Sequence, residues 1–343
     1  MVEFRKGTLN AAVACLGLFC CAQLLTGCGA NEDAAQASGL TKVRFMADWL
    51  AVPEQGGFFQ ALAMGYYEDA GLDVEIIHRT GNTLQALAVA HGDVDISIGG
   101  SDEVLLGIGK GLPLQMLSAF FQNHPYCLMF HAGHKVSSFE ELDGVSVMAF
   151  LGSTWIPYVE QKYGIKLRLI PLEQTIQRFM ADSSREFVQA VFITNEPFVA
   201  LKEGVATETL LISESGWNPY KVIFSSRKFI EANPEAIEAF VAASLRGWEY
   251  YLSEDPTLAH VMIADRNPAM DPEYMEYIRQ SLIDEKMIVG DPELGQGLGH
   301  LSAERLIREM NILKDLGMVD ATYGISRLVA AQFLPANQDA EEE

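Results

Sequence analysis

The sequence predicts an α/β protein of two lobes, each a mixed, mostly parallel sheet flanked by helices. Three observations carry this. Strand, glycine turn and helix recur along the chain, at residues 43–68, 94–109 and 145–163. The first of these returns into a second strand at 72–77, and a strand–helix–strand unit of that length starts a parallel sheet. Beyond an N-terminal segment of distinct character, about 300 residues remain at 49% hydrophobic content, more than one core holds and ample for two.

The elements follow in order. Val43, Phe45 and Trp49 mark an extended start, broken by Pro53, Gly56 and Gly57. Residues 58–68 carry apolar side chains at helical spacing, and Gly71 suits the left-handed end of that helix. Ligands of such sheets bind where strands run out into helices, which puts Asp48, Trp49, Glu54, Gln55 and Gly57 at a mouth. Residues 83–91 read as a helix with Asn82 as its cap, and 94–98 as a strand. Gly99, Gly100 and Ser101 then turn into a helix over 102–109. This turn either lets backbone N–H groups approach a ligand or is a tight turn with a Ser cap.

Residues 114–121 form another strand ending at Phe121, and 122–126 cross into the second lobe. There, 145–150 is a strand and 151–155 a glycine turn with Ser153, Thr154 and Trp155 at a helix start. Such a start presents free N–H groups to an anion or a polar ring edge. Trp155 is a stacking platform or a packing aromatic. Strands at 167–170 and 187–193 follow, the latter ending in Thr194-Asn195-Glu196-Pro197-Phe198. Glu196 suits both a ligand acceptor and a helix first turn opened by Pro197. Residues 217–225 cross back, 233–251 is an amphipathic helix with Trp248 inside, and broken helices run on to 333.

Residues at both ends differ from the body. Arg5 and Lys6 precede an apolar run over 11–25 and then Leu25-Thr26-Gly27-Cys28. This predicts a secretory signal peptide over 1–27, cleaved before Cys28, and Leu-Thr-Gly-Cys resembles a bacterial lipobox with Cys28 lipidated. A polar tether at 28–40 and an acidic tail at 337–343 complete the ends. Of five Cys, only Cys28 and Cys127 survive cleavage, so no disulfide framework is expected and Cys127 reads as a buried structural thiol.

The formal charge of −22 becomes −22 − 1 = −23 once Glu3, Arg5 and Lys6 are removed. Such a surface excludes nucleic-acid binding and a polybasic grip on membranes. No Walker loop, G-x-G-x-x-G, G-x-S-x-G or zinc pattern is present, and no cofactor is called for. His131 and His134 read as a surface loop, and Asp93 and Asp95 as solvated loop residues.

A family resemblance covers about residues 42–333. Asp48-Trp49, Gly56-Gly57-Phe58-Phe59, the run Gly-Tyr-Tyr-Glu-Asp-Ala-Gly-Leu-Asp-Val at 65–74, the turn at 138–144 and Glu196-Pro197 carry it. The chain resembles the NMT1/THI5-like (SsuA/THI5-like) solute-binding proteins of ABC importers. The resemblance implies the type II periplasmic-binding-protein fold, with residues 41–123 in lobe I, 124–220 in lobe II and 221–336 as a C-terminal helical part returning to lobe I. It implies a ligand cleft between the lobes, hinges near 123–126 and 217–220, and an ABC permease with its ATPase as partners. The protein is then exported and anchored in the cell envelope, on the periplasmic side of a membrane or the outer face of a Gram-positive cell.

The expected ligand is a small aromatic heterocycle of the thiamine-pyrimidine type. Trp49, Trp155, Phe121 and Tyr220 are the candidate stacking faces. Asp48, Asn82, Ser101 and Glu196 are the candidate edge partners, with Gln55, Gly57, Gly100, Ser153 and Thr154 lining the turns. An acidic pair beside an aromatic slot, with no Arg in the glycine turns, favours an amine-bearing ring over a sulfonate.

The alternative is the related 4-amino-5-hydroxymethyl-2-methylpyrimidine phosphate synthase of thiamine biosynthesis. That enzyme family uses a Lys for imine chemistry with pyridoxal phosphate and consumes a nearby His. Aligning the strand at 94–98 puts Gly99 and Glu103 in those places, and no Cys stands near 215–222 for its iron motif. A third reading is a membrane-tethered sensor using the same pocket.

Overall fold

A computed structural model describes residues 39–335 apart from 80–83, 135, 174, 183 and 185. Asn82 and Cys28 lie outside the described residues. In chain order the first elements are β1 (Thr41–Ala47), α1 (Gly56–Ala63), α2 (Tyr66–Asp69), β2 (Leu72–His78), α3 (Gln85–His91), β3 (Ile96–Gly100), α4 (Ser101–Gly109) and β4 (Leu114–Phe121). The middle of the chain holds β5 (Tyr126–His131), β6 (Ser146–Ala149), α5 (Trp155–Tyr163), β7 (Arg168–Pro171), α6 (Gln177–Met180), β8 (Val188–Phe192), α7 (Glu196–Lys202) and β9 (Thr207–Leu211). The last part holds β10 (Lys221–Ser226), α8 (Arg227–Ala232), α9 (Pro234–Ser253), α10 (Thr257–Arg266), α11 (Pro272–Asp284), α12 (Ala303–Asp315) and α13 (Ile325–Leu328).

Two five-stranded sheets result, in the orders β2-β1-β3-β10-β4 and β7-β6-β8-β5-β9. In the first, β1 is parallel to β2 and β3, and β10 runs antiparallel between β3 and β4. In the second, β6 is parallel to β7 and β8, and β5 runs antiparallel to β8 and β9. The chain thus leaves the first sheet after Phe121 and rejoins it at Lys221. The two connecting segments touch: His124 N donates to Asn218 Oδ1 (2.8 Å) and Asn218 Nδ2 to Asn123 Oδ1 (2.9 Å). Arg305 of α12 donates to the carbonyls of Gln122 (2.7 Å) and Asn218, tying both segments to one helix.

Apolar burial explains the layering. Phe45, Phe58, Phe120, Phe240, Trp248 and Tyr251 fill the core between the first sheet and α1, α9 and α10. Burying six such rings is worth about 2 kcal/mol each or more by area alone. The approach of α9 to α1 is close because glycines face each other there. A Cβ on Gly57 would lie 2.2 Å from the Trp248 ring, and one on Gly247 2.2 Å from the Gly57 carbonyl oxygen.

Several expectations are corrected. The helix expected at 58–68 is two helices, because Gly65 takes a left-handed φ of 73° and stops the first. The strand expected at 94–98 runs from Ile96 to Gly100, so Gly99 and Gly100 are strand residues and Ser101 already opens α4. The stretch from 221 onward is not purely helical, since Lys221–Ser226 is a fully buried strand with Val222, Ile223 and Phe224 at its centre. Asp95 is not solvated: Arg44 grips it with Nε (3.0 Å) and Nη2 (2.6 Å). His131 is not in a surface loop but buried at the end of β5, stacked on Phe179 at 4.3 Å. Cys127 is buried with a free thiol, as its apolar surroundings predict.

Candidate functional site

The carboxyl ends of β1 and β3 open beside the end of β8, so residues of both sheets meet there. Asp48 follows β1 directly. Its Oδ1 accepts from Gln55 Nε2 at 3.0 Å, and its Oδ2 pairs with the ammonium of Lys221. Gln55 is buried in a short turn opened by Pro53, and its Oε1 has no partner among the described residues. Trp49 stands out into solvent, 52% exposed. Its carbonyl lies 3.2 Å from His78 Nδ1, which anchors the loop while leaving the ring free.

Lys221 opens β10 opposite Gly100 and Phe121. Its ammonium lies 5.7 Å from the Phe121 ring centre and 5.3 Å from that of Phe192, so rings of both sheets face one cation. Tyr126 packs edge-on against Phe192 at 4.9 Å and stays half-buried. Glu103, in the first turn of α4, is surrounded by protein yet keeps contact with water. Crowding by protein atoms raises its carboxyl, Asp102 adds to this, and Lys221 opposes it. Glu196 is likewise half-exposed. Its Oε2 accepts from Phe192 N at 3.0 Å, and burial pushes its carboxyl up to about 7 against that bond. Glu103, Tyr126 and Glu196 thus keep solvent contact near the junction of the two sheets, where Tyr126 feels both carboxyls.

Two buried carboxylates cross between the sheets. Glu54 Oε1 accepts from Thr194 Oγ1 (2.8 Å) and Asn195 Nδ2, while Oε2 has no partner among the described residues. Asp102 accepts from the Thr154 hydroxyl, which itself accepts from Trp217 Nε1 at 3.1 Å. Burial raises both carboxyls above their ordinary range, against the hydrogen bonds they accept.

The sequence-predicted residues divide sharply. Asp48, Trp49 and Gln55 come together after β1, Glu196 sits just beyond β8 against Phe192 N, and Ser153 lies half-buried in the turn before α5. Gly57 is not at the mouth; it is inside α1 against Trp248. Gly100 ends β3 in register with Lys221. Ser101 is not free to donate: its hydroxyl lies 2.9 Å from both Glu309 carboxylate oxygens and accepts from Tyr220 N at 2.9 Å. Thr154 is committed to Asp102 and Trp217. Trp155, Phe121 and Tyr220 are 2% exposed or less and offer no open stacking face. The Tyr220 ring is covered by the Arg305 guanidinium at 3.6 Å, and Phe121 by Lys221.

Lys221, Glu103, Tyr126 and Phe192 were not among the candidate site residues. The signal for Lys221 was present: a charged residue opening the apolar run Lys221–Ser226. Lys221 also qualifies the argument from Gly99, because a neighbouring strand supplies an amine to the same cleft. Among the described residues no group of three His, Cys, Asp or Glu is disposed to hold a metal. No helix among them is long and apolar enough to cross a membrane. A surface hollow of about 500 Å³ is lined by Phe198, Glu273 and Tyr277 where α7 meets α11.

Comparison with known proteins agrees with this architecture. The chain is 24% identical to the formylaminopyrimidine-binding protein of Halalkalibacterium halodurans over 75% of its length and 80% of that protein's. It is 23% identical to the riboflavin-binding protein RibY of Chloroflexus aurantiacus over 98% and 99% of the two chains. Yeast 4-amino-5-hydroxymethyl-2-methylpyrimidine phosphate synthase THI5 is 21% identical over 69% of this chain and 75% of its own. Among solved structures, the aliphatic sulphonate binding protein SsuA of Escherichia coli superposes with a TM-score of 0.64 at 11% identity, over 88% of this chain and 95% of that one. Two mixed sheets flanked by helices, in this arrangement, are the type II periplasmic-binding-protein fold. The NMT1/THI5 like family model matches residues 52–259, and the chain belongs to that family.

Proposed function

We propose that this protein is the solute-binding component of an ABC importer and takes a small aromatic heterocycle between its lobes, with a thiamine-type pyrimidine favoured. One observation carries the reading most directly. The exposed Trp49 directly follows Asp48, whose partner Lys221 faces the ring of Phe192 in the second lobe, and the half-exposed Glu196 accepts from Phe192 N. A flat ring stacked on Trp49 has a carboxyl at its edge to accept its N–H groups. The names of the binding relatives, for a formylaminopyrimidine and for riboflavin, support a ring ligand of this kind. Lipidation of Cys28 would hold the domain at the membrane beside its permease.

The synthase reading differs in needing an amine that forms an imine. Gly99 provides none, and Lys221 is held as half of an ion pair with Asp48. Native mass spectrometry with a thermal-shift screen separates the readings, because a ligand of the folded state alone raises the melting temperature. Co-purification or a melting shift with a pyrimidine or flavin, and no adduct after borohydride with pyridoxal phosphate, supports the binder. A covalent pyridoxal adduct that borohydride traps would overturn it.

A further inference from the structure

We propose that Lys221 is the residue that selects the ligand: it donates into the cleft to an acceptor on a neutral ring, beside an N–H that Asp48 accepts. The inference rests on the ring-binding function proposed above and names the edge such a ring must present.

Placement comes first. Lys221 sits in register with Gly100 and Phe121, the last residues of β3 and β4, so its side chain starts where the sheet runs out. The side chain is only 7% exposed. Its charged end lies between a ring of the first sheet and one of the second, at the junction that closes over a ligand.

Valence comes next. An ammonium carries three N–H donors. Asp48 takes one, and no other acceptor among the described residues reaches the nitrogen. The ring faces of Phe121 and Phe192 stabilise charge but accept no full hydrogen bond. A buried cation with donors left over is costly unless something accepts them. Water can accept them in the open protein, and a ligand oxygen or ring nitrogen takes its place when a ring displaces it.

Charge decides the class. Asp48 balances Lys221, and Glu103 adds negative character that the two groups feel. Glu103 also feels the Arg79 guanidinium, so two cations, Lys221 and Arg79, meet two carboxyls, Asp48 and Glu103, and no net positive charge is left for a sulfonate or nitrate. Each Asp48 oxygen keeps a lone pair beyond the bonds from Gln55 and Lys221. The pair therefore reads an acceptor next to a donor. A 4-aminopyrimidine offers ring nitrogen beside exocyclic amine, and a flavin offers carbonyl beside ring N–H.

The test is calorimetry on the purified protein with 4-amino-5-hydroxymethyl-2-methylpyrimidine and its analogue in which the ring nitrogen beside the amine is CH. Riboflavin with its 2-thio and 4-thio analogues, in which a carbonyl acceptor beside the ring N–H is weakened, is the second comparison, and methanesulfonate the anionic probe. The wild type should prefer an intact ring over its altered partner by about 10- to 100-fold, the span of one hydrogen bond to a charged group. Lys221→Met should lose that preference and bind both partners alike. If Lys221→Met does not melt cooperatively, the neutral pair Asp48→Asn/Lys221→Met, compared with Asp48→Asn, gives the same coupling. Equal weakening of both partners by Lys221→Met, or methanesulfonate bound more tightly than either ring, overturns the proposal while ring binding stands. A wild type that binds neither ring overturns the ring-binding function and this inference with it.

Discussion

The Thr154 hydroxyl, at the start of α5 in the second lobe, donates to the buried carboxylate of Asp102 in α4 of the first. The same hydroxyl accepts from Trp217 Nε1, in the segment that carries the chain back to the first sheet. One side chain thus joins both lobes and the segment that returns to the first sheet. The Glu54 contact to Thr194 and Asn195 also joins the two lobes. The lobes are joined by these buried carboxylates and, at the surface, by the Lys202–Glu273 ion pair (2.5 Å) and Phe198 stacked on Tyr277 at 4.3 Å.

Thr154→Val should loosen that contact. It strands a buried carboxyl and the Trp217 N–H together, a loss of about 1–3 kcal/mol. A lower melting temperature with weaker ligand binding is expected, and small-angle scattering should report a larger radius of gyration. An unchanged radius and affinity would mean that the lobes do not depend on this bond.

Trp49 and Glu196 should separate binding from stability. Trp49 is 52% exposed, so Trp49→Ala should change folding stability by less than about 0.5 kcal/mol. Ring ligands should nonetheless lose about tenfold or more in affinity, as one stacking partner goes. Glu196→Gln should weaken an amine-bearing ring more than one without the amine. Titration calorimetry on both variants checks this, and equal loss for the two rings would remove Glu196 from edge recognition.

Gly247→Ala should be severe. A Cβ there meets the Gly57 carbonyl oxygen at 2.2 Å and Ala61 Cβ at 2.7 Å, and backbone cannot rotate away. About 3 kcal/mol of stability should go, seen as a shifted urea midpoint with unchanged slope. A variant as stable as the parent would show that α9 can slide on α1 freely.

Glu309 supplies a pH test. Burial first, and Asp102 second, push its carboxyl up to about 8 in the folded state. A raised carboxyl contributes stability that is complete below its ordinary value, about 4.3, and lost as pH rises through the folded value. The stability of the wild type relative to Glu309→Gln should therefore fall between about pH 5 and about pH 8.5. His124 acts in the opposite sense: burial lowers it to about 3, so its contribution is lost as pH falls below about 6.5. Taking the difference between the two proteins cancels it. A difference independent of pH would mean that Glu309 titrates like a surface acid.

Local pattern made most of the fold legible. The strand, turn and helix starting at Val43 was readable because branched and aromatic residues, two glycines and helical spacing follow one another there. Residues within a few positions dictate such features. Asp48, Trp49 and Glu196 were legible for the same reason, as polar or aromatic residues placed where strands end. The position of Gly57 in the turn was equally visible, and misleading, because Trp248 lies 191 residues further on.

The sequence by itself determined the α/β class, the recurring strand-turn-helix units and the family. It also placed Asp48, Trp49 and Glu196 at strand ends. Tertiary structure alone decided which side chains remain available. Burial turned Trp155, Phe121 and Tyr220 inward, and distant partners engaged Ser101 and Thr154. The return of β10 between β3 and β4 put Lys221 against Asp48, 173 residues earlier in the chain. Hydrogen-bond valence and burial depend on neighbours brought together by folding, and no local pattern encodes them.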